Sequence, residues 1–513
     1  MRIGVDVGGT NTDAVLMDGT DVLAAFKTPT TANVSDGIVN AISKVLADGK
    51  VAPTALQAVM IGTTHFTNAF VERRGLLPVG ILRIGLPATR ALPPMIDWPS
   101  DIADVVYGQH YMVRGGYQYD GRVNAELDEK AIAVAAREMK AAGLRSIAIS
   151  GVFSPVNNAM EKRAAEIISN EIPDAAVTLS CRIGRIGLLE RENAGVMNAS
   201  LADLASHVVQ SFKKALSDLN ITAPFYISQN DGTLMQASLV EKYPVLTFSS
   251  GPTNSMRGAA YLSGAKDALV ADIGGTTTDI GMLANGFPRE SSIAVDIGGV
   301  RTNFRMPDVF ALGLGGGSLV KGENDVSVGP QSVGYRLSEE ALVFGGNTLT
   351  SSDIAVAAGY ADFGDKQRVK HLAPDFVEKA VARIHAIVED GVDRMKTSAT
   401  DLPLILVGGG SVLINRDIAG TSEVIIPKNA GVANAIGASI AQIGGEIDRV
   451  YSYESLGREE AMEMARAEAI SQAVDAGAVA DTVKIIDFEE LPLAYIPGGS
   501  VRIRVKAAGD LKI

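Results

Sequence analysis

A chain of 513 residues with 47% apolar and 20% charged residues is long enough for about two to four globular domains. Its 46 basic residues against 59 acidic ones give a formal net charge of −13 with no basic stripe, which argues against a nonspecific nucleic-acid binder. A lone Cys181 excludes an internal disulfide and a cysteine-based zinc site. No apolar run of about 20 residues is present to span a membrane, and no leader is read, so a cytoplasmic protein is expected.

In chain order, residues 3–7, 14–17 and 21–26 read as short strands, with Asp18-Gly19 as a hairpin turn. Residues 35–48 have helical spacing. "AVMIGTTHFTNAFVERRG" reads as a strand, a Gly-Thr-Thr turn and a helix closed by Gly75. Residues 86–125, rich in Pro and Tyr, read as an inserted region. Helices follow at 128–142, 157–169 and 189–218, alternating with the strands "SIAISGVF", "AVTLS" and 225–229. A helix at 374–396 precedes the buried strand of "LPLILVGGGS", and "NAGVANAIGASIAQIGG" reads as a small-residue helix. Residues 451–513 read as a helix at 457–476 and two or three strands. This alternation predicts α/β architecture.

One pattern occurs twice. "DVGGTNTD" at 6–13 and "DIGGTTTD" at 272–279 share the form D-x-G-G-T-x-T-D. The glycines lack a Cβ and let backbone lie against a ligand, while successive N–H groups form a concavity suited to anions. Gly8, Gly9, Thr10, Asn11 and Thr12, with Gly274, Gly275, Thr276, Thr277 and Thr278, are therefore the candidate phosphate-binding residues. Two copies suggest a duplication, with two similar lobes gripping a polyphosphate from both sides. Asp6 and Asp272, each ending a strand, are candidates to hold Mg²⁺ through water. Asp13 and Asp279 orient water or cap the threonines. "VDIGGVRTN" at 295–303 lacks the threonine after the glycines and the closing aspartate, and is set aside. Gly408, Gly409 and Gly410, ending a buried strand, are expected against an adenosine. Gly315, Gly316 and Gly317 form a further candidate nucleotide nest.

Thr63, Thr64, His65 and Asn68 sit on a strand-to-helix turn; they read as a site beside the cleft or as an ordinary capped helix start. His65 is the candidate general base. Ser250 and Gly251 open a helix that also carries Asn254 and Arg257, and its N-terminus suits a phosphate or carbonyl. Glu190, Arg191, Glu192 and Asn193 read as facing the cleft or, preferably, as a solvated stripe, and Cys181 reads as an inert thiol.

The paired hairpins followed by a triple glycine resemble the actin, sugar-kinase and heat-shock ATPase superfamily. Within it, "GVDVGGTNTDAVL", "GTTHFTNAFVERRG", "SGPTNSMRGAAYLSG", "DIGGTTTDIG" and "ALGLGGGSL", then "VGPQSVG" and "GGNTLTSSD", resemble the hydantoinase A/5-oxoprolinase family over about residues 1–440. The resemblance implies a two-lobed actin-like ATPase of duplicated ribonuclease H-like domains with inserted regions. It divides the chain into a first lobe at 1–185, a second at 186–445 and a small α/β appendage at 446–513. It implies ATP and Mg²⁺ as cofactors and a cyclic amide or imide as substrate, such as a hydantoin, 5-oxoproline or another lactam. Phosphorylation of the ring carbonyl would precede ring opening, and a second protein subunit would complete hydrolysis; a homo-oligomer is also compatible. The sequence departs from the family in three places: Ile61 precedes Gly62, "GLGGGS" stands at 313–318, and "YRLSEEALVFGG" at 335–346 is expected on the substrate or partner side. Rival readings are a small-molecule kinase, an ATP-driven regulator, and a carboxylase that activates a ketone by phosphorylation.

Overall fold

In a computed structural model, all residues are described except 9–10, 30–33, 292–293, 304–305, 323–324, 495–498 and 513. Strand β1 (Arg2–Val7) turns into β2 (Asn11–Asp18) and β3 (Asp21–Pro29), and helix α1 (Val34–Gly49) packs against them. Strand β4 (Ala58–Thr63) lies parallel to β1 and leads into the short helix α2 (His65–Val71). β1 and β4 are buried almost throughout, as strands covered on both faces must be.

These four strands form one flank of a sheet with nine described strands. Next to β4 lie Phe225–Ser228 and Thr233–Gln236, followed by Gln442–Ser452, Ser500–Gly509 and Lys484–Pro492. The segment 446–513, read from sequence as a small appendage, and residues 225–236, read in the second lobe, thus hydrogen-bond into the sheet that β1 begins. A second sheet centres on Ala268–Ile273 and Thr278–Ala284, with Leu402–Val407, Thr421–Ile425, Val309–Leu312 and Phe287–Pro288 alongside. A third, wholly parallel sheet orders Tyr107–Arg114, Val79–Leu86, Ser146–Gly151 and Ala176–Leu179. One apolar core joins residues of the first and third sheets, such as Ile3, Val59, Val79 and Ile81, and the second sheet packs around a separate core. The α/β, two-lobed actin-like architecture expected from the sequence is the one observed.

Several local readings are corrected. The insert at 86–125 contributes the helix Ser100–Val106 and the edge strand Tyr107–Arg114, whose half-exposed polar side chains hid its strand character. The single helix at 189–218 is two, Leu188–Ser200 and Ala202–Asp218. It breaks at Leu201, where the Ser200 carbonyl accepts from the Leu77 N–H. The helix expected at 429–445 stops at Ser439, and the alternately buried Ile443 and Ile447 belong to a strand.

The expected solvated stripe is a buried network. Arg83 and Glu192 are 0% and 2% exposed and form a two-pronged ion pair, with Arg83 Nε 2.8 Å from Glu192 Oε2. Ser150 donates to the same carboxylate at 2.6 Å, and Arg191 donates to the carbonyls of Arg185, Ile186 and Gly187. The helix Leu188–Ser200, which carries Arg191 and Glu192, packs against the third sheet and against the strand Val300–Thr302. Half-buried Cys181 has its thiol pushed up by burial, which fits the inert reading.

Candidate active site

The repeated motif folds into two equivalent hairpins. β1 pairs antiparallel with β2 and parallel with β4, which places Asp6 between Asp13 and Gly62. In the second sheet Asp272 lies between Asp279 and Val407 in the same way. Both turns close with the same backbone bond: the Gly8 N–H to Asn11 O and the Gly274 N–H to Thr277 O, each at 2.9 Å. By this correspondence Thr63, after Gly62, takes the place in the first lobe that Gly408, after Val407, takes in the second.

The two turns face one cavity of about 400 Å³. Of the expected residues, Asp6, Asp13, Asp272, Gly8, Asn11, Gly274, Gly275, Thr276, Thr277, Gly316, Gly408, Gly409 and Gly410 line it. Gly9 and Thr10 lie outside the described residues. Thr12 and Thr278 are buried away from the cavity, because alternate strand residues face opposite sides, and the Thr278 hydroxyl donates to Leu314 O at 2.7 Å. Asp279 and the pair Gly315 and Gly317 are not among the lining residues. The Gly316 and Gly317 N–H groups are taken by Gly274 O and Gly275 O at 2.9 and 2.7 Å, so this triplet buttresses the second turn rather than forming an open anion nest.

Burial shapes the charges. Asp6, 4% exposed, has its carboxyl pushed up to about 6 by burial, with the charge of Asp13 adding to the effect. Asp279 is pushed up to about 7 by burial and by Asp272. Asp13 and Asp272 are also raised by burial, against the lowering effect of Lys27 on both. Asp6 accepts from Asn254 at 3.4 Å and from Asn434 at 2.9 Å, and Ser255 donates to Asp272. The helix Ser250–Ser263 therefore reaches both aspartates from consecutive positions.

Thr63, Thr64, His65, Asn68, Ser250 and Gly251 come together, but outside the cavity lining. Ser250 donates to Thr63 O at 3.3 Å, Asn68 to Thr64 Oγ1 at 3.4 Å, and Thr64 Oγ1 to Val7 O at 3.3 Å. A Cβ at Gly251 would touch Thr64. His65 Nδ1 lies 3.0 Å from Thr63 Oγ1, and burial lowers its pKa, which favours neutral imidazole. The hairpin at 295–302 contributes nothing to the cavity lining.

Sequence reasoning missed several lining residues. Lys27, Ser255 and Asn434 surround the carboxylates, and Leu337, Phe344, Phe363, Val412 and Leu413 form an apolar wall. Phe344 stacks on Phe363 with ring centroids 5.7 Å apart and planes 16° apart. The divergent segment 335–346, expected on the substrate or partner side, thus supplies Leu337 and Phe344 to the same cavity as the hairpins. The register signal for Lys27 was available: it stands opposite Asp13 across the β2–β3 turn.

The donors fit a hydrated divalent cation. Among the described residues no group of three or more His, Cys, Asp or Glu side chains is arranged to hold a metal. Mg²⁺, however, keeps much of its water and takes only one or two carboxylates beside substrate phosphates. The buried Asp13 Oδ1 has no hydrogen-bond partner, and burial pushes the Asp6 carboxyl up to about 6, so positive charge beside it stabilises its ionised form.

Comparison with known proteins gives relatives over the whole chain. A family model described as hydantoinase/oxoprolinase N-terminal region matches residues 2–172, and one described as hydantoinase/oxoprolinase matches residues 191–365. The caprolactamase subunit alpha of Pseudomonas jessenii is 25% identical, over 86% of this chain and 70% of its own length. The acetophenone carboxylase gamma subunit of Aromatoleum aromaticum is 27% identical over 70% of this chain and 53% of its own length. Among solved structures, the ATP-dependent caprolactamase of Pseudomonas jessenii superposes with a TM-score of 0.76 at 20% identity, covering 99% of this chain and 87% of that one. A nucleotide-free acetone carboxylase superposes with a TM-score of 0.67 at 19% identity, covering 99% and 88%.

Proposed function

Because the chain belongs to the hydantoinase/oxoprolinase family, we propose that it is an ATP-dependent enzyme subunit that activates a cyclic amide or imide by phosphorylating its ring carbonyl. The observation that carries this reading is the pair of hairpins with equivalent register and the same closing bond facing one cavity, each presenting backbone and a carboxylate to the same space. The relatives named as ATP-dependent caprolactamase and as carboxylase subunits support it.

In this reading the turns at Gly8–Asn11 and Gly274–Thr277 hold the polyphosphate, and Gly408–Gly410 with the apolar wall take the adenosine. Asp6 and Asp272 would hold Mg²⁺, which would supply charge neutralisation at the phosphates. Asn254, Asn434 and Ser255 fix the orientation of those carboxylates, so positioning is in place before the reaction begins. Amide resonance makes the ring carbonyl a poor electrophile. Once its oxygen is phosphorylated and ADP has left, water adds to the carbon, the ring C–N bond breaks with the nitrogen taking a proton, and a second water hydrolyses the resulting acyl phosphate to a carboxylate and inorganic phosphate. Thr63, Thr64, Asn68, Ser250 and Gly251 are the proposed ring-binding residues, with neutral His65 as the base.

The relatives named as alpha, beta and gamma subunits support a second protein that completes hydrolysis. No helix among the described residues is long and apolar enough to cross a membrane, and a cytoplasmic site of action belongs to this proposal. The division at residues 185 and 445 is proposed for the order of the chain, since strands from both sides of those boundaries share the first sheet.

The test is ADP release from Mg-ATP with and without 5-oxoproline, hydantoins and simple lactams, with Asp272→Asn as control. Ring-dependent release that the variant loses is expected. Release indifferent to every ring favours the ATP-driven regulator, and a stable phosphoester product the kinase. A second reading, ketone activation, draws on the acetone and acetophenone carboxylase subunits, and bicarbonate-dependent turnover would mark it.

A further inference from the structure

The cavity that this reading assigns to a polyphosphate is lined by three carboxylates, Asp6, Asp13 and Asp272, and by one cation among the described residues, Lys27. A nucleotide triphosphate brings several more negative charges into that space. Carboxylates and phosphates repel one another there unless something positive stands between them.

The two hairpins differ at this point. Asp13 stands opposite Lys27 on β3, whereas its counterpart Asp279 stands opposite Ala311 on Val309–Leu312. Lys27 Nζ lies 2.7 Å from Asp13 Oδ2, and Asp279 has no ion pair among the described residues. The duplication has therefore kept both turns but placed a cation beside only one.

Burial distinguishes the partners of that pair. Asp13 is 1% exposed and fixed within β2, while the Lys27 side chain is 38% exposed at the end of a flexible stem. An ammonium has three donors, and one is engaged by Asp13, leaving two for a ligand. The apolar wall of Leu337, Phe344, Phe363, Val412 and Leu413 comes wholly from the second lobe, and Lys27 comes from the first. Lys27 and that wall line the same cavity, so a nucleotide with its base on the wall shares the space with Lys27.

We propose that Lys27 is a catalytic residue that donates to the terminal phosphate of the bound nucleotide, with Asp13 as the positioning residue that aims it. This inference rests on the nucleotide reading of the cavity. Calorimetric titration of Mg-ATP and Mg-ADP into the full chain and its Lys27→Met, Lys27→Arg and Asp13→Asn/Lys27→Met variants tests both. Lys27→Met is expected to weaken Mg-ATP tenfold or more and to leave Mg-ADP within twofold. Lys27→Arg should recover most of the difference. The double variant, which leaves no unpaired buried charge, should show the same ATP-selective loss as Lys27→Met alone, even where the single variant folds poorly. Equal binding of both nucleotides by wild type and Lys27→Met, or an equal loss for both, overturns the role of Lys27. Failure of the wild type to bind either nucleotide overturns the reading of the cavity itself.

Discussion

Replacement of Gly437 by alanine should separate two helices whose contact holds the site together. A Cβ at Gly437 would lie 1.8 Å from Asn254 O and 2.8 Å from the Gly258 nitrogen, where ordinary contact begins at 3.4 Å. The obstructing atoms are backbone, so no side-chain rotation relieves them. Retreat is blocked on the other side too, because a Cβ at Gly4 of β1 would meet Ala435 O at 2.1 Å. The helices Ala433–Ser439 and Ser250–Ser263 must therefore part by about 1.5 Å. Overpacking in a filled core costs about 1–3 kcal/mol, and a two-sided backbone obstruction belongs at or above the top of that range. A loss of about 3 kcal/mol lowers the folded-to-unfolded ratio more than 100-fold. The same displacement pulls Asn254 and Asn434 apart, and both donate to Asp6. Urea unfolding of Gly437→Ala and of Gly431→Ala, whose Cβ would meet nothing within 4 Å, measures the effect. The control should stay within about 0.5 kcal/mol of wild type. A Gly437→Ala variant as stable as the control would refute the argument that this crossing is closed to a methyl group.

Glu192→Gln, which leaves the buried Arg83 guanidinium without its counter-charge, should cost about 3–5 kcal/mol in urea unfolding. The double change Arg83→Met/Glu192→Leu should recover most of that loss, and a full loss in the double variant would show that packing rather than charge sets it. Stability of the nucleotide-free protein should fall as pH rises from about 4 to about 7 and level off above. Asp279 in the unfolded chain loses its proton near 4, but in the folded chain only near 7, so across that window the folded state holds a proton that the unfolded state does not. Asp6, raised to about 6, acts in the same direction. Asp279→Asn should flatten the decline between about pH 4 and about pH 7 by up to a few kcal/mol, and an unchanged slope would exclude Asp279 as its source.

The hairpins were legible because everything that makes them is local. A short apolar strand, two glycines and a polar return strand lie within the motif, and the closing bonds Gly8 to Asn11 and Gly274 to Thr277 span three residues. The triple glycine at 408–410 was legible for the same reason. The partners of the carboxylates were not, because they arrive from far along the chain. Asn254 and Asn434 reach Asp6 across 248 and 428 residues. Their motifs, "SGPTNSMRGAAYLSG" and "GVANAIGA", show a helix of small residues but not what it packs against. The stripe at 190–193 misled because charge in a helix reads as solvent exposure, whereas here Arg83 and Glu192 satisfy each other inside the protein. The C-terminal strands form a local group in sequence, and only their ladder to Gln442–Ser452 joins them to the first sheet.

A repeated motif also suggests more symmetry than the structure keeps. Both turns preserve the same closing backbone bond, because that hairpin bond lies within the motif. The charge beside each closing aspartate depends on the third strand, which the motif does not include. There the halves part, with Lys27 against Asp13 and Ala311 against Asp279. Burial then acts on two carboxylates in unequal company: Lys27 opposes it at Asp13, and among the described residues no cation does so at Asp279, whose carboxyl is pushed up to about 7. Two like turns thus differ at their closing aspartates: Asp13 lines the cavity with Lys27 beside it, and Asp279 is not among the lining residues.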